Sequence, residues 1–355
     1  WSSDVCSSDL FLAVIAAVFC ILTVLNTAQT AGKDEAKQKE QVKICISMPV
    51  DIADALAEDF TKASGIETQV VPLPPGSAEN RFNFLASSGS DVWLGGTAEE
   101  FYLAAERGLL VSYQPEEAYA IPAEFRQNNW LWTALYIDHI GFLSNKRNLH
   151  YLGLYAPESW QELLAEPLKY ELALADPKSG GAGYGMMTAL WQLKGESAAM
   201  DYAEQLNRQR PEYFVNLQET IDEVRQGYKT VAVVPLSVAL LLERSEENLF
   251  ATIPADGNKN LISGAAVLNG PNNAAAGKFI EYLLSNRAAE IVAEKGHGLV
   301  WSLSAAADDE LRSQYTGKML TPVDDLSWTA GQKADVIERW LTSGKKNTVS
   351  FGHKK

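Results

Sequence analysis

Apolar positions follow two rhythms along most of this chain, and the rhythms take turns. Residues 42–47 (VKICIS), mostly apolar and rich in β-branched residues, read as a buried strand. Ile52, Ala53, Leu56, Ala57 and Phe60 then recur at helical spacing, and Gly65 closes that helix. A second strand is predicted over 66–72, and the turn Pro74-Pro75-Gly76-Ser77 opens a second helix. Residues 91–94 make a third strand. Gly95-Gly96-Thr97 then reads as a loop into a helix that turns Phe101, Ala104 and Ala105 inward. Thr97 and Glu100 have the spacing of a capping box there, and Gly108 supplies the stop.

Residues 130–145 are too long for one ordinary strand and contain Gly141, so they read as a passage from one lobe to another. Beyond it the rhythm resumes. It predicts a helix after Pro157, a strand over 170–175, a loop over 176–183, a helix through Leu193, and another near 199–206. A helix capped by Asn216 and Glu219 ends at Gly227, and 230–234 is a strand. Residues 262–268 read as the return passage, after which helices over 274–284, 288–294 and 330–341 complete the first lobe. Strands alternating with helices predict an α/β class with mostly parallel sheets. Ligand contacts then belong where strand C-termini meet helix N-termini. A chain of 355 residues exceeds what one core serves, so two lobes are expected: 42–138 with 263–345, and 139–262.

The front end has its own pattern. Residues 10–25 are continuously apolar, shorter than the ~20 residues of a membrane span, and small residues follow at Thr27, Ala28, Thr30 and Ala31. This predicts a cleaved secretory leader over 1–31, export to the periplasm, and a polar tether over 32–41. The first ten residues carry Asp4 and Asp9 and no basic stretch. They resemble translated adapter sequence and are set aside. Phe19, bulky, precedes Cys20 and argues against lipidation. Cys45 alone then remains in the exported chain, so no internal disulfide is expected, and its apolar strand predicts a buried side chain.

Charge narrows the partners: 30 Lys and Arg against 45 Asp and Glu give a net −15, which disfavours nucleic acid and anionic membrane surfaces. Candidate chemistry is sparse. His139, His150, His297 and His353 lack metal-ligand spacing, and no HExxH, CxxC, GxSxG or Walker A pattern occurs. Gly181, Gly183 and Gly185 alternate near a helix start, but Met186 breaks a dinucleotide fingerprint. Catalysis, a cofactor and a metal are therefore not expected. What stands out is three loops of one kind: Gly76-Ser77, Gly95-Gly96-Thr97 and Ser179-Gly180-Gly181. At a helix start the backbone N–H groups lack partners and carry partial positive charge, glycine lets a ligand approach them, and a hydroxyl adds a donor. Gly76, Ser77, Gly96, Thr97, Ser179, Gly180 and Gly181 are thus candidate contacts to an anionic group. Asp138 suits a ligand amine or a hinge hydrogen bond, and Arg81 a phosphate or an exposed helix face. Trp130, Trp132, Tyr136 and Trp301 suit cleft walls or core.

Six stretches carry a resemblance: 76–81 (GSAENR), 91–97 (DVWLGGT), 132–136 (WTALY) leading to Gly141-Phe142, 175–184 (ADPKSGGAGY), 262–268, and Asp324-Asp325 with Trp328 and 337–340 (IERW). Together they resemble the extracellular solute-binding proteins that include ferric-iron, aminoethylphosphonate and sugar-phosphate or phosphoglycerate binders. The resemblance implies a type II periplasmic-binding-protein-like fold: two α/β lobes, two hinge strands, and a small ligand in the cleft between them. It implies a monomer that delivers its ligand to the membrane permease of an ABC transporter. Ferric members use paired tyrosines after the helix that here ends at Gly227. This chain reads VAVVPLS over 231–237, without tyrosine, and leaves Ser237 as a contact candidate. Two other functions stay open: a periplasmic sensor presenting its solute to a membrane receptor kinase, and a secreted enzyme with Cys45 as nucleophile.

Overall fold

The computed structural model describes residues 40–74, 78–127, 129–179, 181–295, 301–302 and 325–343. The predicted leader and nearly all of the tether lie outside these residues, as do Gly76, Ser77 and Gly180.

Two sheets organise the chain. The first is built on β1 (Gln41–Ile46), β2 (Glu67–Pro72) and β3 (Val92–Thr97), which run parallel, β1 between the other two. Between them come α1 (Val50–Ser64), closed by Gly65 in the left-handed region, and α2 (Ala78–Ser87). Val42, Ile44, Cys45 and Ile46 are all buried, so both faces of β1 are covered, as a parallel strand inside a sheet requires. After β3 come α3 (Ala98–Glu106) and β4 (Leu110–Val111), and β5 (Thr133–Asp138) follows.

Residues 130–145 do not form one crossing strand. β5 stays in the first sheet, and β6 (Ile140–Asn145) starts the second, with His139 between them. Next come α4 (Lys146–Leu152), β7 (Leu172–Ala175), α5 (Gly181–Lys194), α6 (Glu196–Arg208), β8 (Glu212–Phe214), α7 (Leu217–Arg225), β9 (Val231–Pro235), α8 (Leu236–Ser245) and β10 (Leu249–Thr252). The helix expected after Pro157 is two short 3-10 turns, Gln161–Leu164 and Glu166–Leu168, because Pro167 interrupts it. The second sheet runs β10-β6-β9-β7-β8. Its strands alternate: Val231 and Val233 enter one core, Ala232 and Val234 the other.

The chain returns through β11 (Leu261–Leu268), which lies between β3 and β5, and continues into α9 (Asn273–Leu283), α10 (Asn286–Lys295) and β12 (Trp301–Ser302). The sheets are mixed rather than mostly parallel. β7, β8 and β9 are parallel, but β6 and β11 pair antiparallel with their neighbours, since each carries the chain between sheets. The last elements, α11 (Leu326–Gly331) and α12 (Lys333–Thr342), replace the single helix expected over 330–341. That helix was also expected to complete the first lobe. Val336, Ile337 and Trp340 instead pack into the second sheet's core. Apolar spacing marks which face of a helix is buried but not which surface buries it.

Candidate functional site

The pairing registers bring the relevant strand ends together. Asp138, the last residue of β5, pairs with Leu261, the first of β11, and Ser263 pairs with Thr97 at the end of β3. In the second sheet Ile140 at the start of β6 pairs with Pro235 at the end of β9, which runs parallel to β7. Both chain crossings therefore meet the C-terminal ends of the parallel strands, the edge at which α/β sheets take ligands.

Two candidate residues join there. The Asp138 carboxylate accepts hydrogen bonds from the Ser237 hydroxyl (2.5 Å), the Ser237 N–H (3.2 Å) and the His139 N–H (2.7 Å). Ser237 lies in the first turn of α8, so the contact ties the first sheet to the second. Burial pushes the Asp138 carboxyl up to about 6, against the downward pull of those hydrogen bonds. Between the ordinary carboxylate value and about 6, the folded chain holds a proton that the unfolded chain has released. The group's contribution to stability is thus greatest at low pH and declines as the pH rises through 6. The Asp138 carboxyl carbon, followed by NMR, should titrate near pH 6, and Asp138→Asn should remove that slope from the stability profile. An ordinary carboxylate titration would contradict its burial.

On the first-sheet side the structure corrects the reading of Arg81. Its guanidinium forms an ion pair with Glu100 and donates to Ser47 Oγ at 3.2 Å, so it is neither exposed nor free for a phosphate. Trp93 Nε1 donates to the same Ser47 oxygen at 2.9 Å. With two donors on its oxygen, the Ser47 hydroxyl keeps its own proton for donation. Ser47 is a half-buried residue just beyond β1 that sequence reasoning missed. Its only signal was a hydroxyl at the end of a parallel strand.

The remaining candidates fare differently. Residues 95–97 belong to β3 rather than to a loop. Thr97 does cap α3: its hydroxyl accepts from the Glu100 N–H at 3.4 Å, and its own N–H donates to the Glu100 carboxylate at 3.2 Å. Gly96 is buried, and a Cβ there would lie 2.6 Å from the Trp93 ring, so packing accounts for the glycine. Ser179 ends the short turn Pro177–Ser179, and Gly181, at φ +56, opens α5. Trp132 stacks on Phe101 with centroids 5.2 Å apart, and Tyr136 is buried in the same core, so both are core residues. Trp130 is half-buried, and the Trp301 side chain lies outside the description. Cys45 is fully buried, and burial pushes its thiol up to about 11, the opposite of what a nucleophile needs. Among the described residues no cluster of three His, Cys, Asp or Glu could hold a metal.

Two sheets, each covered by helices and joined by two strand crossings, make up the described fold. The chain belongs to the bacterial extracellular solute-binding protein family, whose model matches residues 45–297. It is similar to an uncharacterized protein of Haemophilus influenzae, 25% identical over 334 residues, 92% of this chain and 96% of that one. It is also similar to a protein of Salmonella typhimurium named "Putative 2-aminoethylphosphonate-binding periplasmic protein", 25% identical over 301 residues, 82% of each chain. Among solved structures, the periplasmic binding protein AfuA from Actinobacillus pleuropneumoniae, with exogenous fructose-6-phosphate bound, matches with a TM-score of 0.76. The identity is 24%, covering 87% of this chain and all of that one. Iron-bound HitA from Pseudomonas aeruginosa matches with a TM-score of 0.71 at 18% identity, covering 86% of this chain and 99% of that one. At these identities the structural likeness speaks for the fold, the type II periplasmic-binding-protein fold expected from the sequence.

Proposed function

We propose that this protein is the periplasmic binding component of an ABC importer. In this reading it clamps a small anionic solute bearing a phosphate, phosphonate or carboxylate between lobes built on the two sheets. The observation that carries the reading is the kind of donor gathered where the crossings meet. In this reading the Ser47 and Thr97 hydroxyls and the start of α5 at Gly181 supply the donors, while Arg81 and the Thr97 N–H are held by Glu100 and the Ser237 N–H and hydroxyl by Asp138. Helix starts and hydroxyls bind an oxyanion without a guanidinium, and the positive end of each helix dipole adds to the attraction. The ligands named for AfuA and for the Salmonella protein both carry a phosphorus oxyanion, which supports this class. Iron suits the site less: the stretch over 231–237 offers no tyrosine. The buried, proton-holding Cys45 favours a binder over an enzyme using that thiol.

Ser179, Gly180 and Gly181 are the anion contact proposed for the second lobe, and Gly76, Ser77 and Thr97 the one proposed for the first. Mass spectrometry of solute released on denaturing the purified protein tests the class. A phosphate, phosphonate or carboxylate compound at near-stoichiometric yield is expected. A neutral solute or ferric ion in its place would sink the reading.

A further inference from the structure

α11 touches both lobes at once. Leu326 packs against the first sheet's core, and Trp328, two residues on, packs against the second's. Asp325 caps the helix, accepting from the Trp328 N–H at 3.0 Å, which fixes the orientation of this short element. The helix lies along α3, the helix that Thr97 caps. On its other side the Tyr184 hydroxyl of α5 donates to the Thr329 carbonyl, and the Trp328 and Trp191 rings lie 5.6 Å apart. One short segment thus joins the two helices whose N-termini carry proposed ligand contacts.

The two attachments are unequal. Toward the second lobe α11 continues into α12, which buries Val336, Ile337 and Trp340. Asn207 Nδ2 donates to the Trp340 and Ser343 carbonyls at 2.7 and 3.2 Å, and Arg339 pairs with Glu196 at 2.5 Å. Toward the first lobe α11 itself lies along α3 and packs half-buried Leu326 against that core, while Lys333 stands over the Tyr184 ring, 5.0 Å from its centroid, on the second-lobe side. Hinge closure requires the lobes to part on opening, and a two-sided contact breaks at its weaker side.

We propose that α11 is a clasp, fixed on the second lobe, that holds α3 of the first lobe and so sets the ratio of closed to open protein before solute binds. The clasp rests on the two-lobed fold and not on which solute is taken. Leu326→Ala removes the apolar hold and should raise the open-to-closed ratio of solute-free protein about tenfold. Small-angle X-ray scattering reads the outcome as a larger radius of gyration, with the variant still unfolding cooperatively. Val336→Ala is the structural control: it should lower the melting temperature and leave the scattering curve unchanged. Wild-type scattering from folded Leu326→Ala, or the same expansion from Val336→Ala, would overturn the clasp.

Discussion

Lys259→Met should lower the stability of this protein by about 3–5 kcal/mol, because it leaves a buried carboxylate without its main counter-charge. Lys259 Nζ lies 2.7 Å from Glu99 Oε1, with side-chain exposures of 3% and 11%. Burial by itself would raise the Glu99 carboxyl. The charge and hydrogen bond of Lys259 outweigh it and hold the group below its ordinary value. Next to Lys259, Asn258 clamps the other crossing: its side chain accepts from the Ile140 N–H and donates to the Ile140 carbonyl, both at 2.9 Å. The ion pair and the amide therefore fix both passages between lobes.

The pH dependence supplies a check on cause. In the wild type Glu99 contributes stability above the ordinary carboxylate value, lost as the pH falls through its depressed folded value. In Lys259→Met the sign reverses: burial now raises the carboxyl, so the deficit should be greatest at neutral pH and shrink in acid. Urea denaturation at pH 7 and pH 4.5 measures both points. Adding Glu99→Gln should recover most of the loss by removing the stranded charge. A single variant within about 1 kcal/mol of wild type at pH 7 would show that the pair is open to water, where such pairs are worth little.

What could be read in advance follows the range over which each signal acts. The α1 face of Ile52, Ala53, Leu56, Ala57 and Phe60 is buried as its spacing requires, and the Thr97–Glu100 capping box is formed. Both are set by residues within a few positions of one another. Destination was not legible: the apolar face of α12 announces burial without saying that the second core receives it. Nor was pairing across distance. Arg81 has the sequence context of an exposed helix residue, and only the folded chain brings it to Glu100, 19 positions on. Asp138 and Ser237, 99 positions apart, carry no sequence signal of each other, and their mutual bond arises from the ladder that sets Ile140 beside Pro235.

The alternating glycines at the start of α5 belong to this second kind, and they predict the largest functional loss. As a sequence Gly181, Gly183 and Gly185 make a failed dinucleotide fingerprint; in the fold Gly183 and Gly185 let a helix lie on strand ends. A Cβ on Gly183 would stand 2.3 Å from the Ala175 carbonyl oxygen at the end of β7. One on Gly185 would stand 2.8 Å from Leu261 at the start of β11. The obstacle at Gly183 is backbone, which cannot swing aside as a side chain can, so Gly183→Ala must displace the start of α5. In an unhindered helix the same change stabilises by up to about 1 kcal/mol. Here overpacking should reverse the sign and cost about 1–3 kcal/mol. Gly331→Ala, with open space around it, is the control for propensity. Because the start of α5 carries Ser179 and Gly181, its displacement should also weaken solute binding at least tenfold. Calorimetry with the solute identified by mass spectrometry of the wild type reads that loss. Full affinity in a destabilised Gly183→Ala would move the anion contact away from this helix, and wild-type stability would mean that α5 does not rest on Ala175.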